Sequence, residues 1–188
     1  MENPESANPI RNVSDTALWV AVYRAMESER KDALFHDPFA RRLAGERGQA
    51  IVDAMPRGKE LAWAMIVRTA VMDELILQCI RDGATSVLNL AAGLDTRAYR
   101  LDLPASLHWY HVDFPPMVEY VKDKLTGEKP RCALEYVAAD LREPEQRDSI
   151  FRKAAENGPV LVITEGLLVY LPAENVADLA KALHQSAQ

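Results

Sequence analysis

Two hydrophobic periods divide this chain. Up to about residue 82 the apolar positions recur at helical spacing. Ser14 offers an N-cap for a helix over Asp15 to Glu29, whose Leu18, Val22 and Ala25 fall on one stripe. His36-Asp37-Pro38 repeats the device: Asp37 can cap and Pro38 can occupy the first turn of a helix over FARRLAG. Met55-Pro-Arg-Gly58 reads as a loop. A long, largely apolar helix follows from Lys59 to Arg81, stopped by Gly83. Residues 1–13 are polar and proline-spotted and read as a flexible tail, leaving 14–82 as an N-terminal helical segment.

Beyond Gly83 the pattern shortens. SVLNL, HWYHVD, LEYVAAD and VLVITEG are four β-prone segments. Helical stretches lie between them, around Pro116 to Leu125 and Glu145 to Asn157, with a shorter turn near Ala98 and a last helix from Pro172. Strands alternating with helices predict βαβ units: an α/β fold with a mostly parallel sheet and helices on both faces. Residues 83–188 then form the first half of a doubly wound, Rossmann-like domain. Four strands leave the outer edge of the last one open, as in a fragment or in a chain whose second copy covers that edge as a homodimer.

Composition narrows the function classes. Over 188 residues, 48% hydrophobic and 27% charged residues suit one globular domain with a sizeable core. The net charge of −6 argues against nucleic acid as a partner, which calls for clustered Lys and Arg. No apolar run is long enough to span a bilayer, and MENPESANPIRN lacks the apolar centre of a secretion signal. A cytoplasmic protein without membrane partners is expected. Cys79 and Cys132 are far apart and read as buried free thiols of a reducing compartment. No metal is expected: His108 and His111 point to opposite faces of a strand, and His36 and His184 stand alone.

Ligands of open parallel sheets bind at the carboxyl ends of the strands. Here those ends carry Asp95 after Gly93, Asp113, Asp140 beside Leu141, and Glu165. A strand-end acid can simply cap a helix or close a turn. Four in register repel one another unless a cation or hydrogen-bond donors enter the crevice. A pyrophosphate is disfavoured, because Gly-x-Gly-x-x-Gly is absent and Asp95 follows Gly93 almost at once. Asp113, twenty positions after Gly93, has the spacing of an acid that grips ribose hydroxyls. A phosphate-free adenosine joined to a cation, such as S-adenosylmethionine, fits both facts.

The segments SDTALWVAVYR, FHDPFARRLAG, VRTAVMDELI, VLNLAAGLDTRAYRL, HVDFPPMVEYVK, YVAADLRE and ITEGLLVYLP run in order from Ser14 to Pro172. In them the chain resembles the leucine carboxyl methyltransferase-like family of class I S-adenosylmethionine-dependent methyltransferases, especially its bacterial branch. The resemblance implies a Rossmann-like class I methyltransferase fold with an N-terminal helical cap. Full-length relatives have seven strands, so this chain, with about the first four, is expected to be truncated at the C-terminus.

The resemblance also implies site roles. Arg68 would hold the methionine carboxylate of the cofactor, with an ion pair to an acid such as Asp73 as the alternative. Gly93 would be the turn beneath the cofactor, or merely a tight turn. Asp113 would bind ribose, or cap the helix ahead of Pro115-Pro116. Asp140 and Leu141 would frame adenine, or form a simple turn. Glu165 would line the methionine end, or close its own turn. Asp95, Thr96 and Arg97 stand between ligand contact and an internal Asp–Arg pair. Trp19, Tyr23 and Arg24 stand between the cap of the family and, respectively, core packing and a surface ion pair.

The implied activity is methyl transfer to oxygen, with a small-molecule or protein carboxylate or hydroxyl as acceptor. No catalytic residue is assigned: a sulfonium is already an activated electrophile and an ionised carboxylate needs no general base, whereas a hydroxyl acceptor can call for one. Competing readings are a non-catalytic binding module or partner subunit of the same fold and an NAD(P)-dependent oxidoreductase. The missing glycines and Asp95 weigh against the second.

Overall fold

Helix α1 (Val13–Ser28) buries Val22 and Ala25 of the expected stripe together with Ala21 and Tyr23, whereas Leu18 is half-buried. It begins one residue ahead of Ser14, so Ser14 lies inside the helix. The computed structural model describes residues 13–55 and 58–186, divided into compact units at Val71 and Met72. Helix α2 (Ala40–Ala54) starts two residues after Pro38, so Asp37 and Pro38 precede the helix. Asp37 instead closes a turn, its Oδ1 accepting the Phe39 N–H at 3.1 Å. Its Oδ2 accepts Arg24 Nε at 2.8 Å in a buried ion pair, where a surface pair was expected. The carboxylate therefore does two jobs, and the helix waits until the turn is complete.

The expected end of FARRLAG at Gly45 is a kink, where φ is 57° and ψ is −172°, and α2 resumes to Ala54. That left-handed backbone suits a residue without Cβ. One turn on, Gly48 lets the helices approach: a Cβ there would lie 3.0 Å from the Leu18 carbonyl oxygen and 3.2 Å from Val22 Cγ2.

Helix α3 (Gly58–Arg81) matches the long apolar segment. Gly83, at φ 111°, stops it, with the Gly83 and Ala84 amides bonding back to Ile80 and Cys79. Cys132 is buried, whereas Cys79 is half-buried.

The remainder alternates as the sequence predicts: β1 (Ser86–Leu90), α4 (Arg97–Arg100), β2 (His108–Asp113), α5 (Pro115–Lys124), β3 (Ala133–Ala138), α6 (Pro144–Ala155), β4 (Val160–Ile163), a 3₁₀ turn (Leu168–Tyr170) and α7 (Ala173–Ser186). Proline opens α5 and α6 at the position where a missing N–H costs nothing. All strand pairs are parallel, in the order β3-β2-β1-β4. Leu88, Leu90, Tyr110 and Val112 face Ile150, Phe151 and Ala154 of α6 and Leu179 and Ala182 of α7. On the opposite face, Val87, Asn89, Trp109 and His111 are also buried. The two central strands, β1 and β2, are thus covered on both sides, whereas β3 at the edge is exposed or half-buried along its length. Among the described residues no helix is long and apolar enough to cross a membrane.

Candidate functional site

The strand order reverses beside β1: the chain moves outward through β2 and β3, then returns to place β4 on the other flank. The carboxyl ends of β1 and β4 therefore bound the crevice in which open α/β sheets take their ligands. From β1 the chain enters a tight loop, with Ala91 at φ 52° and Gly93 at φ 54°. The Ala92 amide bonds to the Val112 carbonyl at 3.0 Å, and the Asp95 amide returns to the Ala92 carbonyl at 3.0 Å.

Strand β2 grips Gly93 on both of its polar atoms. The Gly93 N–H donates to Asp113 Oδ2 at 2.7 Å, and His111 Nε2 lies 3.2 Å from the Gly93 carbonyl oxygen. A carbonyl only accepts, so Nε2 carries the hydrogen. His111 and Asp113 are two apart on a strand and so share a face. Burial pushes the His111 pKa below its ordinary value, against the pull of Asp95 and Asp113. Asp113 Oδ1 accepts the Phe114 N–H at 2.7 Å, so the acid ties its own turn as well as the glycine loop. Each oxygen keeps acceptor capacity beyond its one backbone bond.

Asp95 and Glu165 are joined through a residue to which sequence reasoning gave only half its role. Arg97 is 4% exposed. Its Nη1 donates to Asp95 Oδ2 and to Glu165 Oε2, both at 2.8 Å, and its Nε donates to Asp73 Oδ1 at 2.7 Å. The internal Asp95–Arg97 pair is present, and Asp95 Oδ1 also accepts the Arg97 N–H at 2.7 Å. Asn89 Nδ2 bonds Asp95 Oδ2 at 2.8 Å. Asp73 also takes both terminal nitrogens of Arg100, at 2.6 and 2.8 Å. Burial lowers the Arg97 pKa, but Asp95, Glu165 and Asp73 outweigh it and hold the guanidinium above the ordinary arginine value.

At the end of β3, Asp140 is closed in its own turn. Its carboxylate receives Arg142 Nε at 2.9 Å, Arg142 Nη2 at 2.6 Å and the Arg142 N–H at 2.9 Å. The hydrogen bond from Arg142 holds the Asp140 carboxyl below the usual carboxylate range. Arg142 sits over the Phe114 ring, 5.9 Å from its centre, which ties the ends of β2 and β3 together. Leu141 is half-buried and packs against the core beneath α6 and α7. Arg68 is half-buried on the portion of α3 that belongs to the first unit.

Gly93 and Asp113 are thus in direct contact. Glu165 joins Asp95 through Arg97, and Asp140 forms a separate turn with Arg142. The cation or hydrogen-bond donors that four converging acids call for are supplied within the chain itself, by Arg97, Arg142 and backbone amides. Neither the Arg97–Glu165 pair nor the His111–Gly93 contact was foreseen. The i, i+2 spacing of Asp95 and Arg97 carries a local signal, whereas the other two need the strand order.

A parallel sheet in this order, with a glycine loop clamped by the acid of the next strand, defines a Rossmann-like α/β domain. The chain belongs to the leucine carboxyl methyltransferase family, whose model matches residues 17–184. Three bacterial relatives carry the name "Putative S-adenosyl-L-methionine-dependent methyltransferase". One, from Streptomyces coelicolor, is 37% identical over 185 residues, covering 92% of this chain and 65% of that protein. One from Mycolicibacterium smegmatis is 36% identical, covering 87% of this chain and 59% of that protein. One from Frankia alni is 35% identical, covering 87% and 61%. The chain therefore spans about three-fifths of the length of the curated relatives it matches.

Proposed function

We propose that this protein binds S-adenosylmethionine at the carboxyl ends of its strands and transfers the methyl group to an oxygen of a carboxylate or hydroxyl acceptor, on a small molecule or a protein. The observation that carries this reading is the Gly93–Asp113 contact. Backbone in the left-handed region is held by a carboxylate whose two oxygens are oriented by backbone N–H groups at 2.7 Å each. A carboxylate fixed in this way, with lone pairs left over, suits a ribose diol. The family membership and the names of the relatives support the same ligand.

The residues fit that cofactor unevenly. Asp113 is oriented and retains acceptor capacity. Asp140 would share its oxygens between Arg142 and the exocyclic amine of adenine, with Leu141 against the ring. Glu165, held by Arg97, would line the methionine end, and Arg68 is the residue assigned to the methionine carboxylate. When bound, S-adenosylmethionine supplies an activated methyl group on a cationic sulfur, so no protein nucleophile is required. What the chain contributes is orientation: Gly93 keeps the loop low, Asp113 would set the ribose, and Arg97 holds Glu165 in one place for the methionine end. An acceptor carboxylate arrives ionised at neutral pH, and no side chain has to remove a proton from it.

Isothermal titration with S-adenosylmethionine tests this, using wild type, Asp113→Ala and Arg68→Ala, with NADH as the competing ligand. Loss of a hydrogen bond to a charged group costs about 1.5–3 kcal/mol, so each substitution should weaken binding about 10- to 100-fold. Equal affinity in all three proteins removes both residues from the site. Heat from NADH alone ends the methyltransferase reading.

A further inference from the structure

The Arg97 guanidinium is the junction of three chain segments that are distant in sequence: α3 through Asp73, the glycine loop through Asp95, and the end of β4 through Glu165. All four side chains are largely withdrawn from water, with relative exposures of 5% for Arg97, 9% for Asp73, 9% for Asp95 and 16% for Glu165. Three carboxylates at such depth cannot stay ionised together without a fixed cation among them. The planar fork of arginine presents donors along fixed directions: here Nε serves α3 while Nη1 serves the loop and β4 together.

We propose that Arg97 is the positioning residue of the cofactor site. It sets the loop between β1 and α4 and the Glu165 carboxylate in one geometry before any ligand arrives. This rests on the S-adenosylmethionine reading above, and it assigns a role to a side chain that does not itself touch the ligand. Gly93 is the route of action. Asp95 is locked to the Arg97 N–H and guanidinium, the Asp95 amide is tied to the Ala92 carbonyl, and the Gly93 N–H between them points to Asp113. Removing the fork frees the loop at Asp95 and unfastens Glu165 in the same event. A lysine ammonium cannot replace it, because its three N–H groups diverge from one atom, whereas Nε and Nη1 serve α3 and the loop–β4 side from two separated atoms of a rigid plane.

Arg97→Lys is the decisive variant, since it keeps the charge and therefore the fold. Arg100→Lys is the control, because Arg100 forms an equally buried pair with the same Asp73. Amide hydrogen exchange on the ligand-free proteins reads the loop, and isothermal titration with S-adenosylmethionine reads the site. In Arg97→Lys, exchange at the amides of Ala92 to Arg97 should accelerate at least tenfold, and affinity should fall at least tenfold. Arg100→Lys should stay within twofold of wild type in both readouts, even where it lowers the melting temperature by the same amount. Unchanged exchange and affinity in Arg97→Lys overturns the proposal, as does an Arg100→Lys protein that matches Arg97→Lys. A wild-type protein that does not bind S-adenosylmethionine sinks the cofactor reading instead, and the exchange arm still decides whether Arg97 holds the loop.

Discussion

His111 shows how much one buried side chain can impose on the residues around it. Its ring lies 5.0 Å from the Tyr136 ring, with Gly93 above it and the carboxylates of Asp95 and Asp113 pulling its pKa upward. Burial wins, and the folded-state pKa lies below the ordinary value of about 6.5. Below pH 6.5 the unfolded chain therefore takes up a proton that the native state refuses. Stability should fall on acidification from about pH 6.5, by up to about 1.4 kcal/mol per pH unit, until the folded-state pKa is reached. Urea unfolding between pH 7 and pH 5 measures this slope, and His111→Gln should flatten it by about one proton. An identical slope in both proteins would assign the titration to other groups. Little of this was legible in the sequence. HWYH marked His111 as one face of a strand, but its partner Gly93 lies 18 residues earlier and becomes visible only once β1 and β2 are paired. Glu165 is the sharper case, because its arginine stands 68 residues away.

At the scale of elements, the periodic pattern carried most of the fold. The four strands fall where alternation between short β-prone runs and helices put them, and Gly83 ends α3 as glycine does when the chain must turn left-handed. The misplacements sit at helix starts. Asp37 and Pro38 look like a cap and a first turn, yet the buried pair with Arg24 commits the acid to a turn of its own. Arg24 is 13 residues away, beyond the reach of any local rule. Gly45, the last residue of FARRLAG, only bends α2, because α1 supplies a surface for the helix to continue along. Gly48 makes that surface possible. Gly48→Ala gains about 1 kcal/mol of helix propensity but sets a methyl group 3.0 Å from the Leu18 carbonyl oxygen, which belongs to a helix backbone and cannot rotate away. Overpacking of this kind costs about 1–3 kcal/mol. The substitution should therefore destabilise the protein by about 1 kcal/mol in urea unfolding, and a more stable variant would show that α1 and α2 yield to each other.

For the molecule as a whole, ligand binding and folding are one equilibrium. A ligand that binds only the native state adds about 2.7 kcal/mol at a concentration one hundred times its dissociation constant. In a chain of this size that corresponds to an upward shift in melting temperature of about 5–10 °C. Differential scanning calorimetry with S-adenosylmethionine should show that shift, and NADH should leave the transition in place. The reverse pattern would reassign the crevice. Net charge and composition had only argued against nucleic acid as a partner; the ligand class came from the acids at the strand ends.

The strand order also sets a timetable for synthesis on the ribosome. Ser86 pairs with His108 soon after both emerge, but its other neighbour, Val160, leaves the tunnel far later. A nascent chain can zip β1, β2 and β3 while one side of β1 stays bare. Until Glu165 appears, the Arg97 guanidinium holds Asp73 and Asp95 but lacks the partner that joins it to the end of β4. Translation that stalls in this interval leaves an unzipped strand edge, the state most exposed to chaperones and to aggregation.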